Sequence, residues 1–171
     1  MINASDIENF TKDCAKMFCR FNFPRDIRVI TEKKFMEINK DKGIDYSKCL
    51  AYTSPGSVIT VICDRIERIN GVDRGFFNSA NSLAFTICHE LSHLEQDLDP
   101  VLYNNHEEFR IGLELGNDLN TATVIMENLD LYSYLLQKYF ESDVDVDIIK
   151  DIIEFGLFII LIKSSNTSKS D

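Results

Sequence analysis

The chain has 171 residues, the size of one ordinary domain, because two halves joined by a linker would each be too small for a full core. Hydrophobic residues make up 44% and charged residues 27%, which excludes a disordered or fibrous protein. The net charge of -10 repels phosphate backbones and anionic lipids, so we expect neither direct nucleic-acid binding nor general attachment to a membrane surface.

The first half of the chain predicts one helix and several short strands. Apolar residues recur at helical spacing over residues 6–21, and Ser5 with Glu8 forms a capping box at the start of that helix. Residues 27–30 are a strand candidate, followed by a mixed, charged stretch that ends at Gly43. Two β-rich runs, 49–53 and 57–63, flank a Ser-Pro-Gly turn and predict a hairpin.

The second half of the chain predicts helices. A helix capped by Asn78 or Ser79 extends through Gln96, and its apolar positions recur three and four residues apart. Residues 97–105 contain Pro100 and are predicted to form a loop. Helices follow over residues 106–129 and 130–140, and a last helix starts within residues 143–147.

The C-terminal region contains the longest uncharged apolar run, residues 155–162. This run is much shorter than the roughly 20 residues of a transmembrane helix, so we predict no transmembrane segment. We interpret it as the buried end of a helix, and a partner-binding or membrane-touching tail is the alternative. Residues 1–163 are predicted to form a single domain, and residues 164–171 a polar, disordered tail.

The cysteines indicate the redox environment of the chain. They are odd in number and lack Cys-x-x-Cys spacing, which favours buried free thiols over a disulfide framework or zinc knuckle. The N-terminal residues show no signal-peptide pattern, so we expect a cytoplasmic protein. The cysteines are Cys14, Cys19, Cys49, Cys63 and Cys88.

A His-Glu-Leu-Ser-His motif at residues 89–93 points to metal chemistry. On a helix, His89 and His93 lie one turn apart, which lets both imidazoles bind one Zn²⁺ ion. Glu90 is offset by one residue, so its carboxylate lies beside the metal, where it acts as a general base toward water. The motif therefore predicts two zinc ligands and a catalytic base.

A catalytic zinc site needs a third protein ligand, and Glu114 is our preferred candidate. The helix over residues 106–129 has a predicted buried stripe, with Asp118 within it and Glu114 on its edge, one turn apart. Glu114 would bind the metal, and Asp118 would accept the remaining ring N–H of a ligand histidine. The predicted stripe consists of Ile111, Leu115, Leu119, Ala122, Met126 and Leu129.

His106 is the competing candidate for the third ligand. If Glu114 binds the metal instead, His106 is free to donate a hydrogen bond to the developing oxyanion. Tyr103, Tyr132 and Arg110 are equally placed in the sequence for that role, and the sequence does not separate them.

Residues 85–93, Phe-Thr-Ile-Cys-His-Glu-Leu-Ser-His, resemble a segment of the ImmA/IrrE family of gluzincin-type metallopeptidases. The family segment reads Phe-Thr-hydrophobic-small-His-Glu-Leu-small-His. Residues 114–118, followed by Ala122, are similar to the downstream Glu-x-Glu-Ala-Asn/Asp-x-x-Ala helix of that family, although Gly116 replaces a glutamate and Asn117 an alanine. The resemblance extends over residues 58–126, about 40% of the chain.

This resemblance implies an α+β, zincin-like fold with a small antiparallel or mixed sheet, an active-site helix and further C-terminal helices. An edge strand would lie above the active-site helix, and a second helix would bring the glutamate ligand. Strand 57–63 is the expected edge, able to pair with a peptide substrate. The implied activity is zinc-dependent endopeptidase cleavage of an intracellular protein, including transcriptional repressors of mobile elements or stress responses.

Two other interpretations stay open. His106-Glu107-Glu108-Phe109 is similar to the His-x-x-x-aromatic element that supplies the third histidine in SprT-like proteases, although the aromatic comes one residue early. SprT-like enzymes act on DNA-bound proteins, which the net charge of -10 fits poorly. The chain could instead be a non-catalytic interaction module, either one that keeps zinc for stability or a regulatory partner with an acidic surface.

Overall fold

A computed structural model describes residues 2–40, 49–65, 79–96 and 100–169, and these form a mixed α+β structure. This confirms the predicted α+β class with a small mixed sheet. In chain order the described elements are α1 (Ala4–Phe18), β1 (Asp26–Ile30), α2 (Glu32–Ile38), β2 (Ala51–Ser54), β3 (Val58–Ile62), α3 (Ser79–His93), α4 (Pro100–Asn105), α5 (Glu107–Glu127), α6 (Leu129–Phe140) and α7 (Val146–Lys169).

The three described strands form one sheet in the order β1-β3-β2. β2 and β3 are antiparallel, with Thr53 opposite Ile59, so the predicted hairpin is confirmed. Its turn places Gly56 at φ 85°, a backbone conformation that glycine adopts without the steric cost of a side chain. β1 pairs in parallel with the other side of β3. The prediction that strand 57–63 is an edge is therefore wrong, and among the described strands β2 is the edge on that side.

The core lies where α3 is enclosed by the sheet, α1, α5 and α6. Leu83, Ile87 and Leu91 of α3 are fully buried, at the three- and four-residue spacing of one helix face. Phe10 of α1 packs against Phe140 of α6 with ring centroids 4.6 Å apart. Because burial of such side chains supplies most of the folding free energy, α3 is held firmly on several sides.

The structure differs from the sequence-based prediction at three places: the start of α1, the charged stretch after β1, and the predicted loop over residues 97–105. The Asn3 side chain, not Ser5, caps α1 by accepting the Asp6 N–H at 2.8 Å, and the helix ends at Phe18. The charged stretch after β1 contains α2, whose N-cap is Thr31. The predicted loop 97–105 contains α4, which begins at Pro100, since proline at the first helical position sacrifices no helical hydrogen bond.

The buried face of α5 differs from the predicted stripe. Of the six stripe residues only Ala122 is fully buried, and Ile111 is 48% exposed. The buried face instead includes Asn117 and Thr121, which hydrogen-bond to α3. Polar residues occupy this face because they satisfy buried partners on the neighbouring helix, which a pattern based on apolar residues does not reveal.

The C-terminal helix α7 also differs from the prediction. It continues through Lys169, so residues 164–169, predicted as a polar tail, are helical. The apolar run 155–162 was predicted to be buried, but six of its eight side chains are 40% or more exposed. This prediction is wrong because, among the described elements, only α5 packs extensively along α7.

Two further expectations concern membranes and thiols. Among the described helices, none is both long and apolar enough to cross a bilayer.

All five cysteines are free thiols, of which Cys14, Cys19 and Cys88 are buried and Cys49 and Cys63 are partly exposed.

Candidate metal centre

Helices α3 and α5 bring three potential metal ligands together: His89, His93 and Glu114. The Nε2 atoms of the two histidines are 3.1 Å apart. Glu114 Oε2 lies 2.7 Å from His89 Nε2, and Glu114 Oε1 lies 3.1 Å from His93 Nε2. Among the described residues, these three form the only group of His, Cys, Asp or Glu side chains close enough to hold one metal ion.

The local sequence explains why these ligands meet. The four-residue spacing of His89 and His93 places both rings on the side of α3 that faces α5, and both side chains are almost fully buried. Asn117 Nδ2 of α5 donates to the His89 carbonyl oxygen at 2.8 Å. This buried bond fixes the distance between the two helices next to the ligands, one turn after Glu114.

Both histidines are oriented by a second hydrogen bond at Nδ1. His89 Nδ1 lies 2.6 Å from Asp118 Oδ1, the contact expected from the sequence, and His93 Nδ1 lies 2.7 Å from Gln96 Oε1. Since carboxylate and amide oxygens accept, both Nδ1 atoms carry the hydrogen. In the neutral rings the Nε2 lone pairs are then left facing one another and Glu114, as a metal site requires.

The electrostatics of the cluster show how strongly its members interact. Burial alone lowers the pKa of His89, but hydrogen bonds to Asp118 and Glu114 outweigh it and raise the pKa to about 9. Burial raises the pKa of Glu114, but its bonds to His89 and His93 prevail and hold that pKa well below its usual range. Glu114 therefore stays ionised, and the cluster favours a positive charge among the three side chains.

Glu90 lies on the cleft side of α3, beside the edge strand β2. Thr53 Oγ1 donates to Glu90 Oε2 at 2.6 Å and also lies 3.2 Å from the Glu90 carbonyl oxygen. Burial raises the pKa of the Glu90 carboxyl, and the nearby His89 and the Thr53 hydrogen bond only partly oppose this. A carboxylate with a raised pKa is a better proton acceptor, which suits a general base.

An open cleft of about 750 Å³ runs between β2, its turn to β3, and the ligands. Tyr103 of α4 lines this cleft and donates its hydroxyl hydrogen to Glu114 Oε1 at 3.2 Å. Tyr132, another oxyanion candidate from the sequence, is 1% exposed and packs in the core beside Phe10. Arg110 is exposed and does not line the cleft, which leaves Tyr103 as the best placed of the proposed donors.

His106 is not part of the cluster. It is the exposed N-cap residue of α5, and the structure does not group it with His89 and His93. The helix that begins there carries Glu114 to the histidines two turns later. The arrangement thus brings together every residue of the preferred ligand set and leaves the alternative ligand outside.

Two residues that touch the site were missed from the sequence: Thr53 and Gln96. Gln96 follows His93 by three residues, a spacing that places side chains on one face of a helix or its last turn, so this contact had a local signal. Thr53 is 37 residues from Glu90 and meets it only because β2 lies over α3. No short-range sequence pattern predicts the contact between Thr53 and Glu90.

The donor set fits a zinc ion. Ligand atoms of a tetrahedral zinc with bonds of about 2.0–2.1 Å are about 3.3–3.4 Å apart. The two imidazole nitrogens are 3.1 Å apart, which is about 0.2–0.3 Å less than this separation. Glu114 places one carboxylate oxygen 2.7 Å from His89 Nε2 and the other 3.1 Å from His93 Nε2, and one ligand atom from each residue lies within 4.8 Å of the others. Two imidazole nitrogens and one carboxylate, with a cleft on the open side, form the ligand set of known catalytic zinc sites.

Comparisons with known proteins add nothing to this geometry: no family model matches the sequence, and neither a curated protein nor a solved structure matches the chain.

Proposed function

We propose that this protein is a zinc-dependent endopeptidase that cleaves an extended segment of a protein substrate. The observation that carries the proposal is the meeting of His89, His93 and Glu114 beside Glu90, at the wall of an open cleft. The zincin-like fold suggested by the sequence is part of this proposal. It is supported by the mixed sheet, by edge strand β2 over α3, and by α5, which carries the glutamate.

The metal would be held by His89, His93 and Glu114. Bound Zn²⁺ supplies Lewis acidity, which polarises a peptide carbonyl and makes water acidic enough to lose a proton near neutral pH. Asp118 and Gln96 hold the two imidazoles in the tautomer that presents Nε2. Tyr103 steadies Glu114 from the cleft side, and its hydroxyl would donate a hydrogen bond to a developing oxyanion.

Glu90 would move the proton. Its carboxylate accepts a proton from the attacking water and later returns it to the amine that leaves when the C–N bond breaks. Thr53 holds Oε2 of this carboxylate, which leaves the other oxygen to face the water. The same hydrogen bond ties the base to the strand along which substrate is proposed to bind.

Substrate recognition would use the outer edge of β2. Within the described residues β2 has one strand neighbour, β3, so the backbone groups on its other side are available to an added strand. An extended peptide pairing there would cross the cleft above Glu90 and the ligands. Because this geometry uses the substrate backbone, it suits a protein segment of varied sequence rather than one small molecule.

The SprT-like alternative has no support from the site, because His106 lies at the exposed start of α5. A cytoplasmic substrate protein is part of the proposal, and the free thiols support it because free cysteines persist in reducing compartments.

The test compares zinc-loaded wild type with the Glu90→Gln variant. Each is incubated with a denatured proteome, and new peptide termini are identified by mass spectrometry. We expect cleavage by wild type, none by Glu90→Gln, and the same zinc content in both, because Gln cannot accept the proton. Glu127→Gln, an exposed change on α5, is the matched control and should cleave like wild type.

Equal cleavage by wild type and Glu90→Gln would remove Glu90 from the proposed role. Absence of any cleavage by zinc-loaded wild type would favour the zinc-stabilised interaction module over the enzyme.

A further inference from the structure

Helix α7 carries an exposed apolar face that the proposed peptidase activity does not use. The segment 155–162 is apolar around the whole helix, whereas a helix on a protein surface normally has a polar outer side. Phe158 is 57% exposed and Leu161 66%. We define the apolar face as Phe155, Leu157, Phe158, Ile160, Leu161 and Ile162.

One side of this segment is already covered by α5. Gly156 is buried against Leu119, where an added Cβ would come within 3.1 Å of the leucine side chain. Phe158 and Leu161 are on the opposite side of α7. Exposed apolar surface of this size marks an interaction site on a folded protein.

An apolar groove of about 460 Å³ adjoins the apolar face at Phe155. Leu115 of α5 and Ile152 of α7 line it together with Phe155, and Asp118 and Asp151 also contribute to its wall. The surface therefore offers both projecting side chains and a recess for them. A two-fold symmetric interface needs both features on one surface, because the same patch is used by both partners.

We propose that the apolar face binds a second copy of the same chain, with the two α7 helices antiparallel across a two-fold axis. In this arrangement the projecting Phe158 and Leu161 of one copy pack against those of the other. The partner's Ile162 then lies toward the groove beside Phe155. The proposal does not rest on the peptidase function, since neither Glu90 nor a metal ligand lies on the apolar face, and of the residues that orient the ligands only Asp118 lines the adjoining groove.

The exposed area agrees with a dimer interface. With roughly 200 Å² for each fully exposed side chain, the apolar face presents on the order of 600 Å². A standard interface buries about 800 Å² per partner, so the face and its groove supply most of that area. An anionic membrane is the less suitable occupant, because Asp147, Asp151 and Glu154 continue the outer side of α7 and the chain has a net charge of -10.

The test measures the mass of the full chain by sedimentation equilibrium between about 1 and 100 µM. Wild type is expected to reach twice the mass of one chain. The double variant Phe158→Glu/Leu161→Glu should raise the dimer dissociation constant by at least about 30-fold, the effect of losing central interface residues. Because both side chains are exposed, circular dichroism and the melting temperature of diluted protein should show an intact fold.

A control variant makes the test specific. Phe21→Glu, at an 86% exposed phenylalanine far along the chain, is the matched control and should dimerise like wild type.

A wild-type protein that stays monomeric up to about 100 µM would overturn the proposal. A dimer that is insensitive to Phe158→Glu/Leu161→Glu would do the same. Flotation of a wild-type monomer with vesicles of phosphatidylcholine and phosphatidylglycerol, abolished by that double variant, would assign the face to membranes instead.

Discussion

The Nδ1 hydrogen of His89 is donated to Asp118 Oδ1 across 2.6 Å, and this bond turns the opposite nitrogen of the ring toward His93 and Glu114. One carboxylate thus sets the tautomer and the direction of a buried imidazole. The ligand cluster depends on this pair, because the alternative tautomer would direct an N–H into the space between the ligands.

Asp118→Asn should lower zinc affinity about 10- to 100-fold, because the neutral amide orients His89 less strongly and makes its Nε2 a weaker donor. Competition with a fluorescent chelator measures the dissociation constant. Asp130→Asn, an exposed change on α6, is the control and should bind zinc like wild type. Unchanged zinc affinity in Asp118→Asn would show that the hydrogen bond has no part in metal binding.

Glu114→Ala should lower zinc affinity more than Asp118→Asn does, because it removes a ligand atom rather than the support of one. His106→Ala should leave the affinity unchanged, since this residue lies outside the cluster. The zinc content of the dialysed Glu114→Ala and His106→Ala proteins shows which of the two residues binds the metal. The reverse order of zinc loss would support the SprT-like interpretation.

Thr53→Val should lower kcat by about 10-fold or more while zinc content stays the same, because it removes a hydrogen bond to the charged Glu90 without changing the side chain's shape. Thr53→Ser keeps the hydroxyl and should recover most of the rate. The measurement uses a peptide taken from the cleavage sites found with wild type. If Val and Ser variants are equally active, Thr53 does not position the base.

Glu95 should make folding stability depend on pH in acid. Its Oε1 accepts backbone N–H bonds from Asn22, Phe21 and Arg20 at 2.7–2.9 Å, which lowers the pKa of its carboxyl from 4.5. A group with a lowered pKa in the folded state stabilises the protein above its ordinary pKa, and this contribution is lost as pH falls through the folded value.

Glu95→Gln should therefore lower the melting temperature at pH 7, and the difference from wild type should shrink as pH falls below 4.5. Thermal scans in the presence of a chelator separate this effect from metal binding. A difference that is constant from pH 7 to pH 3 would contradict the assignment of the effect to the carboxylate.

The parts of the site that sequence patterns predicted are those set by helical periodicity. His89 and His93 share a helix face because they are four residues apart, and Asp118 lies one turn beyond Glu114 for the same reason. Periodicity alone does not predict that α3 and α5 lie side by side. That prediction also used the physical argument that carboxylates on a buried helix face require a partner.

The parts that were missed depend on contacts distant in the chain. β1 and β3 pair in parallel across 32 residues, which leaves β2 as the edge of the described sheet on the other side. Thr53 of this strand meets Glu90 of α3 across 37 residues of sequence. Apolar periodicity also failed for residues 155–162, since hydrophobicity shows that a segment favours burial but not whether its own chain buries it.

The most direct test of the central claim is the anomalous scattering of zinc in crystals of the full chain grown with the metal. We expect one zinc ion per chain, bound by Nε2 of His89, Nε2 of His93 and the carboxylate of Glu114, with an open side toward the cleft. A zinc-supplied crystal with no anomalous peak between these residues, or with His106 as the third protein ligand, would contradict the proposed metal site.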